Sequence, residues 1–351
     1  MTLTNYINIE RIIHSVKTAI ACLIGFLLAR VTGLPADQWI VITIIVVMCA
    51  QLYVGSVIQK SYLRFLGTLA GCLFAMIVLE FFGHSMMTIG IGIIISSFIF
   101  SYLATGQENL AYTGTLGAVT TVIILLGQQP SPFFAVQRLL EINIGLLIAT
   151  VASQFILPIH ARNHLRRTQA STLTQIRDLY VRVLSPLKPN EPIHDFQDED
   201  EEIVKALLKQ RQLAKESKRE PLGSAFDPDN FMQSLYCERE ALRAILFMNM
   251  ALTHLQHLDT PLRALPEFSR FNDVILQTLN IIINVIENNN PTEQHIHEPP
   301  LAPLKKAAQE TILATYPSDH YYIDGLLFSA EILSNSLIKL ATVYHVPLFN
   351  A

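Results

Sequence analysis

The chain has 351 residues, 51% of them hydrophobic, and a mean hydropathy of +0.36; it is too apolar for an ordinary soluble protein of this size and reads as a membrane protein. The net charge of −4 says little about partners, and no nucleic-acid partner is expected. Cys22, Cys49, Cys72 and Cys237 form no C-x-x-C pair, which argues against a disulfide framework or a zinc site and leaves them as packing residues.

Charge is unevenly spread along the chain. Only 11 Asp, Glu, Lys and Arg residues fall within 1–160, although the whole chain carries 25 Lys plus Arg and 29 Asp plus Glu. Two solvents are implied, with a lipid-embedded domain over 1–160 and a water-exposed one over 161–351. Crossing a ~30 Å hydrocarbon core takes roughly 20 apolar residues in a helix that satisfies its own backbone. Six segments qualify: Thr18–Thr32, Trp39–Gly55, Phe65–Phe82, Met86–Leu103, Ala111–Gly127 and Leu139–Leu157. Lys17 and Arg30 bracket the first and are expected to snorkel to the interfaces. A cleaved signal peptide is the rival reading of that segment, disfavoured because no small-x-small site follows and five further spans do. Placing the N-terminus in the cytoplasm puts Arg11, Lys17, Lys60, Arg64, Arg162, Arg166 and Arg167 inside and only Arg30 and Arg138 outside. That bias predicts a multi-pass inner-membrane protein with both termini cytoplasmic.

In the polar half, segments such as "DNFMQSLYCEREALRAILFMNMALTHLQHL" and "FNDVILQTLNIIINVIENNN" space apolar residues by three and four, as amphipathic helices do. "SPLKPNEP", "EPLGSAFDPDN" and "ENNNPTEQHIHEPPLAP" read as loops between them. The acidic run "QDEDEE" at 197–202 reads as a helix start, with Asp195 or Asp198 as its cap. The expected fold is all-α: a six-helix transmembrane domain followed by a cytosolic helical bundle.

No G-x-S-x-G, Walker A loop, H-E-x-x-H or glycine-rich dinucleotide turn is present, so neither an enzyme nor an ATP-driven pump is expected, and no cofactor. His295, His297 and Glu298 lie in a Pro-rich loop without a fourth ligand nearby, and no metal site is assigned. The informative residues are cations. Arg64 opens one apolar run as "RFLGTLAG" and Arg138 opens another as "RLLEINIG", each with glycine seven residues on. Interfacial anchoring is the simple reading of each, but a cation on the outer side gains nothing from the positive-inside bias. The sharper reading turns both guanidiniums into the bundle, where clustered Arg and Lys attract anions. The two elements begin on opposite sides of the membrane, as in an inverted repeat. Glu141, one turn from Arg138, partly neutralises it. In the fifth span Thr113, Gly114, Gly117, Thr120 and Thr121 share a face, and in the fourth Gly90, Ser97 and Ser101 do. Close helix packing and a conduit lining both account for such stripes.

These residues resemble the fusaric acid resistance and aromatic acid exporter superfamily, and more distantly the plant aluminium-activated malate transporters. The resemblance rests on "HSVKTAIACLIG", "GLPADQWIVITIIVV", "LRFLGTLAG" and "QRLLEINIG" running into "FILP", and covers roughly residues 10–160. It implies a six-span inner-membrane module that moves organic anions, with Lys17, Trp39, Arg64, Gly67, Thr68, Gly71, Arg138 and Gly145 at the matching positions. Larger members carry two membrane halves, so a homodimer restoring twelve spans is expected here; a periplasmic adaptor subunit stays open as a partner.

The expected function is export of organic, in particular aromatic, carboxylates. The candidate substrate contacts are Arg64, Arg138 and Lys17, with the hydroxyls of Thr68, Thr113 and Thr120. An anion channel gated by the cytosolic helices and a non-transporting membrane scaffold or sensor are the alternatives.

Overall fold

The computed structural model describes residues 9–33, 38–49, 51–127, 130–185, 196–220, 227–255, 258–288, 294–313, 316 and 319–349. The three proposed polar loops lie partly outside these residues, and Asp195 wholly so. The chain divides into two compact units, Met1–Ala161 with Arg219–Gly223, and Arg162–Lys218 with Ser224–Ala351. Its architecture is all-α; among the described residues the strand pairing is a two-residue parallel match of β1 (Ile296–His297) with β2 (Leu348–Phe349).

The first unit contains α1 (Ile9–Thr32), α2 (Gln38–Met48), α3 (Val54–Ile77, prolonged by a π-helical turn at Val78–Phe82), α4 (Met86–Ala104), α5 (Glu108–Leu125) and α6 (Pro132–Phe155). Of these, α1, α3 with its π turn, α4 and α6 are long and apolar enough to cross a membrane, whereas α2 and α5 are shorter apolar helices. The expected second span is cut because Cys49 is in a turn and Gly55 already belongs to α3. Large apolar side chains point outward, among them Ile94 at 70% and Phe98 at 77% exposure. That is the surface of a protein solvated by lipid.

With hydrocarbon on both sides of the balance, helices associate through close packing rather than through the hydrophobic effect, and glycine makes it possible. A Cβ on Gly67 would lie 2.5 Å from the Thr113 carbonyl oxygen and one on Gly71 2.5 Å from that of Gly117, so α3 and α5 touch backbone to backbone. On the other side of α5, a Cβ on Gly114 would lie 2.6 Å from the Phe100 carbonyl oxygen of α4. The small-residue face of the fifth span is therefore spent on helix contacts. In α4 the buried face is Ile89, Gly92, Ser96 and Phe100, while Ser97 and Ser101 are exposed.

Both arginine-bearing helices start earlier than hydropathy suggests. Ser131 caps α6 by accepting from the Phe134 amide at 3.1 Å, and Pro132 sits in its first turn, where a missing N–H costs nothing. Arg138 is thus six residues, ~9 Å, inside its helix, and Arg64 ten residues, ~15 Å, inside α3. Neither stands at a helix mouth.

The second unit contains α7 (Ala161–Leu184), α8 (Gln197–Ser217), α9 (Pro228–His254), α10 (Asp259–Arg263), α11 (Pro266–Asn288), α12 (Leu301–Ala307, prolonged by a π-helical turn at Ala308–Leu313) and α13 (His320–Val343). Asp227 caps α9, accepting from the Asp229 and Asn230 amides at 2.9 and 3.2 Å. At α8 the cap position is Phe196, without a side-chain cap; Asp198 lies inside the first turn, where its charge still meets the positive helix end. Phe268, Phe271, Ile275, Leu279, Ile282 and Ile286 line one buried stripe of α11. α13, read from sequence as amphipathic, is also long and apolar enough to cross a membrane, but it packs lengthwise on α9 with Leu326, Leu333, Leu337 and Leu340 buried.

Candidate functional site

The arginines converge on α2. Thr43, wholly buried and the only hydroxyl in that helix, accepts from Arg64 Nη2 at 3.3 Å. Trp39, one turn earlier, lies under the Arg138 guanidinium with 4.3 Å to the ring centroid, and Phe134 of α6 flanks it at 4.9 Å. Side chains from α3 and α6 therefore meet one face of α2, a single turn or ~6 Å apart. Gly145 lets this happen, since a Cβ there would lie 2.8 Å from the Ile40 carbonyl oxygen and 2.8 Å from Thr43 Cβ. The glycine seven residues after each arginine has the same task. Gly71 admits α5 to α3, and Gly145 admits α2 to α6.

The charges are poorly compensated. Arg138 Nη1 meets Glu141 Oε2 at 3.2 Å, both side chains being almost wholly buried. The Nε atoms of Arg64 and Arg138 have no hydrogen-bond partner among the described residues. Lys17 does not snorkel: it is 0% exposed, and its Nζ also has no partner among them. One turn before it, His14 Nε2 bonds the Met48 carbonyl oxygen at 3.0 Å, which docks α1 on the C-terminal end of α2. Among the described residues of α1–α6 the buried charged side chains are thus three cations, Lys17, Arg64 and Arg138, against one carboxylate, Glu141; Glu220, in the 219–223 segment of the same unit, has its buried carboxylate 3.5 Å from His160. Burying an uncompensated charge is costly, and at membrane depth it usually marks a pathway.

The threonines are placed differently. Thr68 is buried one turn beyond Arg64 on α3. Thr113 Oγ1 donates to the Leu63 and Asn109 carbonyl oxygens at 3.3 and 3.4 Å. Thr120 is buried against α3, where a Cβ on Gly71 would lie 3.0 Å from its own. Among the described residues neither Thr113 nor Thr120 is hydrogen-bonded to a guanidinium; their neighbours are the α3–α5 seam. Sequence reasoning missed Thr43 and Phe134. The one available signal was a lone hydroxyl four residues after the only tryptophan in an otherwise Ile- and Val-rich helix.

Comparison with known proteins bears on this arrangement. The Fusaric acid resistance protein family matches residues 11–224, more than half of the chain. The chain belongs to that family. Among curated proteins it is 28% identical over 176 residues to the inner membrane protein YeeA of Escherichia coli strain K12, covering 50% of this chain and 49% of YeeA. It is 25% identical over 176 residues to the p-hydroxybenzoic acid efflux pump subunit AaeB of Escherichia coli O9:H4, covering 47% of this chain and 27% of that protein. The same pump subunit from Shigella boydii serotype 4 matches at 25% identity over 180 residues. The chain spans about half the length of YeeA and about a quarter of AaeB. Of these relatives, YeeA is an inner membrane protein and AaeB an efflux pump subunit.

Proposed function

We propose that the chain exports organic carboxylates across a bacterial inner membrane, with Arg64, Arg138 and Lys17 drawing the anion into the first unit. The observation that carries this reading is the surplus of buried positive charge among the described residues of α1–α6, three cations against Glu141. A carboxylate arriving beside Arg64 and Arg138 supplies acceptors to their spare N–H groups and offsets the desolvation of the cations. The rings of Trp39 and Phe134 beside Arg138 give an aromatic acid a surface to stack on, which agrees with the substrate in the name of the related pump subunit. Thr68, buried one turn beyond Arg64 on α3, is the hydroxyl proposed as the next polar contact, with Thr113 and Thr120 of α5 after it. The second unit is proposed to lie in the cytoplasm, together with both termini, on the distribution of Lys and Arg. A homodimer and a periplasmic adaptor complete the proposal.

Proteoliposomes loaded with p-hydroxybenzoate test it. The unmodified protein is expected to accelerate release, and Arg64→Ala, Arg138→Ala and Lys17→Ala each to lower the rate at least tenfold, with Arg64→Lys retaining part of it. Equal release from the unmodified protein and all three alanine variants would overturn the role given to these cations. Cross-linking in native membranes checks the dimer, and tags at each terminus check the orientation.

A further inference from the structure

A groove in the second unit carries cations of its own. Helices α8 and α9 touch where Gln210 Nε2 donates to Glu238 Oε2 at 2.7 Å. The next residue of each helix, Arg211 and Arg239, turns out of that contact into a groove of about 600 Å³ between them. Both are exposed, and among the described residues neither makes a hydrogen bond or an ion pair. Arg243, also in the lining, is engaged by Glu240 at 2.8 Å. Asp200, the one carboxylate of the lining, is eleven residues from Arg211, ~16 Å along α8. Between these ends the walls are mostly apolar, with Val204 and Leu207 on α8 and Leu242 and Leu246 on α9, and Arg243 beside Leu242 is the one charged residue among them. Leu246 is seven residues past Arg239, so the apolar stretch is ~10 Å long.

We infer that this groove binds an amphipathic carboxylate, with the anion between Arg211 and Arg239 and an unbranched apolar body along Val204, Leu207, Leu242 and Leu246. Two guanidiniums from facing helices match a planar carboxylate with parallel N–H donors. The volume lies in the range small-molecule sites occupy, and a mostly apolar lining with a few convergent polar groups is their usual composition. Asp200 at the far end disfavours a second negative charge, which selects a monoanion with a greasy tail. The inference stands on the second unit alone and holds whether or not the first unit carries anions.

Amide hydrogen exchange on the full chain in phosphatidylcholine nanodiscs tests it, with decanoate as the probe. Decanoate is expected to slow exchange saturably in 200–211 and 232–246. Decanol, with the same body and no charge, is expected to leave both segments unchanged. The Arg211→Gln/Arg239→Gln variant should need about tenfold more decanoate, while Arg243→Gln should shift the midpoint less than twofold. Both altered residues are exposed, and unchanged exchange in α13 verifies that the variant is folded. Equal protection by decanol, an unaltered response of the double variant, or protection that appears only with phosphatidylglycerol in the disc would each overturn the inference.

Discussion

In the second unit Glu238, wholly buried, accepts from Gln210 Nε2 at 2.7 Å and from Ser234 Oγ at 3.1 Å. In the first, Lys17 is buried as completely, and its ammonium has no partner among the described residues. The carboxylate belongs to a network that ties four helices together. Gln169 and Thr172 come from α7, Gln210 from α8, Ser234 and Glu238 from α9, and Tyr344 from the end of α13. Among the described residues, Gln210 Oε1 is the side-chain atom of this network left without a partner. The cations of the first unit are held by one threonine, one glutamate and two aromatic rings. A buried charge ringed by neutral donors is a fastening between helices, whereas buried charges left short of acceptors are positioned for an ion that comes and goes.

The largest expected effect lies where the first unit does pair its charges. Arg138→Ala leaves Glu141 buried without its guanidinium and should cost about 3–5 kcal/mol in denaturant unfolding of the detergent-solubilised protein. A loss under about 1 kcal/mol would mean that this pair contributes little to the fold, and the contrast between the units would sharpen.

The next concerns Glu238. Burial pushes its carboxyl up to about 7 from the ordinary 4.5, against the opposing pull of its hydrogen bonds with Gln210, Ser234 and Gln169. The unfolded chain releases this proton near 4.5 and the native one only near 7, so the native state binds more protons between those values. Stability therefore falls as pH rises from about 4.5 to about 7, by about 3 kcal/mol in all, and levels off above. Urea unfolding of the full chain at pH 5 and pH 8 should show this difference, and Glu238→Gln should remove most of it. An unchanged slope in that variant would break the comparison from the other side.

Much of this was legible in the sequence, for physical reasons that also mark its limits. Helices α1, α3, α4 and α6 each carry an apolar run long enough to declare itself. The depth of Arg64 was hidden because Gln59, Lys60 and Tyr62 end the hydropathy signal while the helix continues back to Val54. Lys17 looked like a snorkelling end residue, because sequence spacing does not tell that α1 packs on α2 and α6 with Lys17 buried. The convergence on Trp39 and Thr43 is a tertiary contact that brings the neighbouring α3 and the distant α6 to one face of α2. The glycines were visible, but their purpose appears only when Thr113 and Gly117 stand opposite.

Those glycines supply the third test. Gly67→Ala places a methyl 2.5 Å from the Thr113 carbonyl oxygen, a backbone atom that cannot rotate away, and should cost about 1–3 kcal/mol by thermal unfolding. Gly90→Ala, where a Cβ meets nothing within 4 Å, is the matched control and should be close to neutral. The smallest effect belongs to the solvent-facing ion pair of Lys205 and Glu201, 3.1 Å apart with both side chains more than half exposed. Lys205→Ala should change stability by less than about 0.5 kcal/mol, and addition of salt should erase even that.

One feature of the second unit bears on how the protein is made. Helix α13 has the length and apolarity of a membrane span, yet over half of its most apolar stretch is buried within the fold. Its docking surface, α9, is encoded upstream, so the ribosome has already delivered the cover when the greasy segment emerges. A nascent chain lacking α9 would offer the insertion machinery a segment long and apolar enough to be drawn into the bilayer as α1 is.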